Sequence, residues 1–363
     1  MAVTVRAVRS DEDLEQFLAF ANRLHRDEPN WIPPPPAMYA AMFDRESVPY
    51  FEHADAEYFL AERDGVPAGH IVAHIDHALN EFKDNRWGLF GFFRAEDDQE
   101  VADALLAAAE HWLRERGRDR ILGPLNFSTK EDPGLLIEGN DLRPIVFQSW
   151  HPPYFRGLLE GYGLTKAKDV LWRDLDLELI PNALRERLAR WAELVDSRFG
   201  ITVRPLSQED PAGDLERVYR FFPPLFASHW GYVPLTENEL RGGMHVAVQM
   251  LGPGTLMAEQ NGEIIGASMV VPDYLQALGR GDGGAPAPID RARFLFMAVK
   301  PEFGHTGVSA AIFHHHLQTA ERDGIKSAVL GWSVEDNEQM NAAIGRLGLP
   351  VTRRHRVYEK LFS

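Results

Sequence analysis

The pattern of apolar and polar residues runs through the chain in one order and then, past the middle, starts again. VTVRAVRSDED at 3–13 and ITVRPLSQED at 201–210 each read as a short alternating strand running into an acidic helix start. AERDGVPAGHIVAHID (61–76) and AEQNGEIIGASMVVPD (258–273) each read as two strands joined by Asp-Gly or Asn-Gly. A primed hairpin turn selects those pairs, because both of its central residues take positive φ. A third strand follows each hairpin, WGLFGFFRA (87–95) and ARFLFMAVKP (292–301). Each leads into an amphipathic helix, 97–117 and 306–324, that ends at a glycine. Strand-like RILGPLN (120–126) and KSAVLGWSV (326–334) come next, and then helix, Gly-Leu and strand close each copy at 157–175 and 343–361. This is a duplication with insertions, not a short-period solenoid. It predicts an N-terminal domain over 1–178, a polar linker helix over 179–200 and a C-terminal domain over 201–363.

Composition narrows the function classes. A net charge of −16 argues against a nucleic-acid partner, which needs a basic face. With no cysteine, disulfides, thiolate nucleophiles and thiolate metal sites are excluded together. The N-terminal stretch lacks the apolar core of a secretory signal, and no apolar run is long enough to span a membrane, so a cytoplasmic chain is expected. His70, His74 and His77 fall on one expected strand but not on one face, and His314–His316 are consecutive on a helix. Neither set has the geometry of a metal site, and no metal is expected.

The chemistry concentrates at strand ends. KPEFGHTGVSAAIF (300–313) reads as strand, glycine turn and helix, the form of an anion cradle on a helix N-terminus; the same glycines equally suit a plain tight turn. Glu335, Asp336 and Asn337 follow the strand ending near Trp332, and Asn337 opens a helix that it would cap. Glu131, Asp132 and Glu138 lie in STKEDPGLLIEG (128–139), after a strand end. Trp150, His151 and Tyr154 either line a pocket or pack around the proline turn of SWHPPYF. The aromatics of EPNWIPPPPAMY (28–39) and FPPLFASHWGYVPLT (222–236), Trp31, Tyr39, Trp230 and Tyr232 among them, either line acceptor pockets or anchor loops. GRGDGGAPAPID (279–290) is an exposed loop joining hairpin to third strand.

This order, with Gly307 and Asn337 so placed, resembles the GNAT superfamily of acyl-CoA-dependent N-acyltransferases. NWIPPP (30–35), YFEHADAEYFLAERDG (50–65), WGLFGFF (87–93) and WSVEDNEQMNAAIGRLG (332–348) further resemble bacterial tandem-GNAT proteins. The resemblance implies an α+β fold of two tandem GNAT-like domains, each a twisted mixed β-sheet flanked by helices. It implies acetyl-CoA or another acyl-CoA as co-substrate, with Met297, Ala298 and Val299 along the pantetheine. Gly304, His305, Thr306, Gly307, Val308 and Ser309 would lie at the pyrophosphate, beside Asn337. The family turn reads Arg or Gln, two residues, Gly, one residue, Gly or Ala; this chain retains Gly307, with Gly304 and Ser309 in the other places. In the first half, EDDQE (96–100) would repel a pyrophosphate. The family tyrosine acid falls on Ile344 and Leu159, so Tyr358 is the substitute acid and Glu335 the candidate base. Trp230, Tyr232 and Trp332 would bind the substrate, a small-molecule amine. The alternatives are a non-catalytic GNAT-fold protein with decayed cofactor sites, or an enzyme using another acyl donor, such as an acyl carrier protein or an aminoacyl-tRNA; the acidic charge counts against the last.

Overall fold

The computed structural model describes residues 2–127, 132–278, 288–345 and 347–362; Glu131 and most of the 279–290 loop therefore lie outside the described residues. The first half runs β1 (Val3–Ala7), α1 (Asp11–Leu24), α2 (Pro36–Ala41), β2 (Ala54–Arg63), β3 (Val66–Asp76), α3 (His77–Lys83) and β4 (Trp87–Ala95). It continues with α4 (Gln99–Glu115), β5 (Arg120–Gly123), β6 (Leu135–Glu138), α5 (Tyr154–Gly161) and β7 (Thr165–Asp176). After α6 (Asn182–Phe199) the second half follows with β8 (Thr202–Pro205), α7 (Pro211–Phe221), α8 (Pro223–Phe226), α9 (Glu237–Leu251), β9 (Thr255–Gln260) and β10 (Glu263–Pro272). It ends with β11 (Arg291–Val299), α10 (Val308–Asp323), β12 (Ser327–Val334), α11 (Glu338–Gly345) and β13 (Arg353–Leu361).

Local signals behave as the pattern predicts. Asp64-Gly65 and Asn261-Gly262 take positive φ in their hairpin turns. Asp98 caps α4 through the Glu100 and Val101 amides, and α6 stops at left-handed Gly200. The tandem α+β arrangement holds, with the two sheets fused into one. The strand order is β1-β2-β3-β4-β5-β13-β7-β12-β11-β10-β9-β8, with β6 also on β13. The halves exchange their last strands. β13 is inserted beside β5, with Tyr358 opposite Gly123. β7 in turn pairs with β12, with Arg173 opposite Leu330. Each half thus completes its sheet with the other's final strand.

Alternation along the strands divides the core. On β3, Ile71, Ala73 and Ile75 pack under α4 with Val101, Leu105 and Leu106, while Val72 joins Phe17 of α1 and Tyr58 on the opposite face. In the second half, Ala267 and Met269 lie under α7, and Ile265 under α10.

Candidate active site

In each half the strand before the long helix parts from its parallel neighbour. β11 pairs with β12 only from Arg291↔Ser327 to Phe294↔Leu330. Past that point β11 stays on β10, with Met297 opposite Ser268 and Val299 opposite Gly266, and Ser333 and Val334 of β12 turn to β7. A gap is left between Met297–Val299 and the end of β12. At the C-terminal end of β11, Gly304 N–H closes on Pro301 O at 3.1 Å and the buried Thr306 hydroxyl donates to Phe303 O at 2.7 Å. His305 and Ser309 are exposed. Helix α10 opens at Val308 with no side-chain cap and no acidic residue in its first turn. Gly307, at φ 85°, has a packing reason to be glycine: a Cβ there would stand 2.3 Å from the Trp191 ring of α6.

The corresponding region of the first half is shut. β4 and β5 pair from Trp87 to Leu89, but the chain then stays close. Leu125 N–H donates to Phe90 O at 2.7 Å and Phe92 N–H to Asn126 Oδ1 at 2.7 Å. A Cβ on Gly91 would meet Leu125 O at 2.1 Å. At the start of α4, Arg63 pairs with Asp98 at 2.6 Å and Glu100 at 2.8 Å. The helix N-terminus is already capped and acidic, as EDDQE implied.

The structure divides the sequence candidates. Met297–Val299 line one side of the β11–β12 gap and the 304–309 turn follows the end of β11, while Trp332 lies near the end of β12 and Asn337 just past it. Asn337 accepts from Met340 N–H at 3.1 Å, a helix cap. Trp332 packs on Ile145, Val146 and Trp172. Glu335 holds Lys166 Nζ at 2.6 Å and accepts from Asp169 N–H at 3.1 Å, an ion pair that occupies its carboxylate. The strand exchange carries Tyr358 away from the gap, into the first half's core, where its hydroxyl donates to Glu160 Oε1 at 3.0 Å and burial pushes it further from ionising. Trp230 packs against Leu79 and Val233, and Tyr232 lies 6.1 Å from the Phe82 ring. Lys83 Nζ clasps Ala227 O and His229 O of the same segment, at 2.9 and 2.8 Å. Both aromatics therefore dock their loop on the first half.

A buried polar centre joins the halves on the α1 and α7 face, around Ser149. Its carbonyl accepts from His355 Nε2 at 3.1 Å, and its hydroxyl accepts from Asn126 Nδ2 at 3.3 Å. Asp132 stands beside Ser149, which favours its charged form, and its Oδ1 is buried without a partner. Burial pushes the Asp132 carboxyl up to about 6, against the opposing pull of Ser149, Arg293 and Arg94. Arg293 donates to Val146 O at 2.9 Å and its guanidinium lies 4.6 Å from the Trp172 ring centre. It stands one residue before Phe294, where β11 leaves β12. On the α10 side of the gap, buried Arg173 reaches Ser333 Oγ at 3.3 Å and Asn341 Oδ1 at 3.1 Å. Arg94, Arg173 and Arg293 were not singled out by sequence, though Arg94 is the one charged residue of the apolar strand β4, a readable sign of a costly burial.

Residues 18–127 match the model of the Acetyltransferase (GNAT) family. The chain is 28% identical over 379 residues to a bacterial ceramide synthase of Caulobacter vibrioides, covering 99% of this chain and 97% of that protein. It is 28% identical over 381 residues to protein YghO of Escherichia coli, covering 98% and 95%. Among solved structures, a tandem GNAT protein from the clavulanic acid biosynthesis pathway superposes with a TM-score of 0.59 at 13% identity, over 99% of this chain and 98% of that one. That likeness is one of fold.

Proposed function

We propose that this chain, by fold a member of the GNAT superfamily, is an N-acyltransferase whose acyl-CoA donor lies in the C-terminal half. One observation carries the reading: the β11–β12 gap is open and the β4–β5 gap is shut. The residues fit such a donor. Met297–Val299 have backbone groups free on the β12 side to pair with a pantetheine arm. The uncapped N-terminus of α10 favours a pyrophosphate through its unpaired N–H groups and dipole. The first half, with its acidic α4 terminus, serves as a frame and as a source of side chains at the junction.

The acceptor is an amine, and the α7 face favours an apolar one. Phe222 and Phe296 stack edge to face with centres 4.2 Å apart beside Phe226, over Ala267 and Ala298. A relative named ceramide synthase supports a long-chain amino alcohol as acceptor and a long acyl group as donor. The amine nitrogen attacks the thioester carbonyl carbon; the C–N bond forms, the C–S bond breaks, and sulfur leaves as thiolate. Asp132, with a free oxygen and a proton affinity near neutrality, takes the amine proton. A thiolate needs little acid help, in keeping with Ile344 where the family acid would stand.

The test pairs acetyl-CoA or a long-chain acyl-CoA with a long-chain amino alcohol or a small amine. Released thiol is read with a thiol reagent; the cysteine-free chain adds no background. Thiol release with the long-chain pair, and an amide of the matching mass, supports the reading. No thiol release with any pair, together with no CoA binding at about millimolar concentration, against ordinary substrate constants at or below that range, refutes it.

A further inference from the structure

The two halves offer an internal comparison. In the second half, β10 and β11 set Ala267 opposite Ala298, both in the apolar cluster under α7. In the first half the same register sets His70 opposite Arg94 under α1. In the second half this position is closed by alanines under aromatic rings, the apolar face proposed above for the acceptor, with no buried charge.

The polar pair is deeply buried and poorly satisfied. His70 is wholly buried, its ring 4.1 Å from Phe17 and 5.5 Å from Phe20, and its ring nitrogens meet no well-formed hydrogen-bond partner, only a weak approach to the Phe92 backbone. Arg94 is 8% exposed; Nη1 donates to Phe93 O at 2.9 Å and Nε has no acceptor. No carboxylate of the described residues forms an ion pair with it, and Asp132, Tyr39 and Tyr154 act on it only through their fields. Trp31 lies over the guanidinium with its ring centre 5.8 Å away. His25, 4.9 Å from the Trp31 ring, has an orphaned Nε2. Burying a charge and imidazoles with so few partners is costly, where an apolar filling would be neutral or better. The second half takes the apolar filling.

We infer that the α1 face of the first half is a binding site for a small anion, a carboxylate or a phosphate group, which pairs with Arg94 and is flanked by Trp31, His25 and His70. Arg suits either group through its two-pronged N–H geometry. The guanidinium makes the site anion-selective while the imidazoles stay neutral and hydrogen-bond. The site lies within the field of Asp132, the proposed base, but anion binding at Arg94 is a separate event and does not depend on the acyl-transfer reading.

The test measures thermal unfolding of the full chain in inorganic phosphate or in acetate, against potassium chloride at matched ionic strength. The comparison variant is His70→Ala with Arg94→Ala, which copies Ala267 and Ala298. Expected is a rise of about 3 °C or more with one of the anions, absent from the variant. A response to phosphate alone identifies a phosphate ligand, and one to acetate alone a carboxylate. The inference is overturned by no shift beyond chloride with either anion, or by the same shift in the variant. If the double variant does not fold, Arg94→Lys replaces it: a response weakened about tenfold in concentration is expected, because lysine cannot form the two-pronged pair, and an unchanged response overturns the inference.

Discussion

Five histidines are buried in this fold and a sixth, His316, is partly buried, all with their proton affinities driven down by desolvation. His25 and His316 are pushed to about 3, His74 and His355 to about 4, and His70 and His151 well below the ordinary range. His74 illustrates why: one ring nitrogen faces the Tyr50 hydroxyl at 2.7 Å and the other Leu125 O at 2.9 Å, so the neutral ring is fully used. The unfolded chain takes up protons near pH 6.5 and the folded chain does not. Stability is therefore full above about pH 6.5 and is lost as pH falls toward the folded values. At pH 5.5 each such group costs about 1.4 kcal/mol, so six cost ~8 kcal/mol, the order of a whole domain's stability. Two groups oppose this in part. Asp132, raised to about 6, binds its proton more readily in the folded state. His53, raised to about 9 by Asp76 and Glu239, gains stability on the acid side. Urea unfolding followed by tryptophan fluorescence at pH 7.5 and 5.5 reads the result. A collapse of the midpoint by pH 5.5 is expected. A midpoint unchanged within about 0.3 M, on the usual urea slopes, would refute the claim that these rings are held neutral.

Asp132→Asn should lower kcat/KM by about a hundredfold or more, as loss of a general base does, and Glu335→Gln by little; equal losses would return the base to Glu335. The wild-type kcat/KM should rise with pH through an apparent pKa near 6, the value set for Asp132, and a profile flat from pH 5 to 8 would count against it. Gly307→Ala should cost about 2 kcal/mol, and only about 1 in a Trp191→Ala background, because one part of the cost is the positive φ and the other the ring contact; equal costs in both backgrounds would remove the packing explanation. Residues 1–178 expressed alone should stay unfolded or aggregate, because β5 and β7 would lose β13 from between them, whereas co-expressed halves should associate; a monomeric, cooperatively folding first half would show the exchange to be dispensable.

The signals legible in the chain were short-range. Asp64-Gly65 and Asn261-Gly262 turned where their dihedral preferences require, helices stopped at Gly117, Gly200 and Gly324, and the doubled element order led to the tandem fold, because such choices are made by neighbouring residues alone. The candidate gap was legible in part for the same reason: Met297–Val299 and the 304–309 turn are contiguous with a strand end and a helix start. The partners of distant strands were not. Nothing local in RRHRVYEKL says that it will lie between β5 and β7, and that placement decides that Tyr358 meets Glu160 and not the gap. Nor does local pattern reveal that Gly307 faces Trp191, that Glu335 meets Lys166, or that Asp132, Arg94 and Arg293 share one field across residues far apart in sequence. Register between strands from different halves is settled by which faces bury together, and burial in turn decides which acids and imidazoles keep their protons.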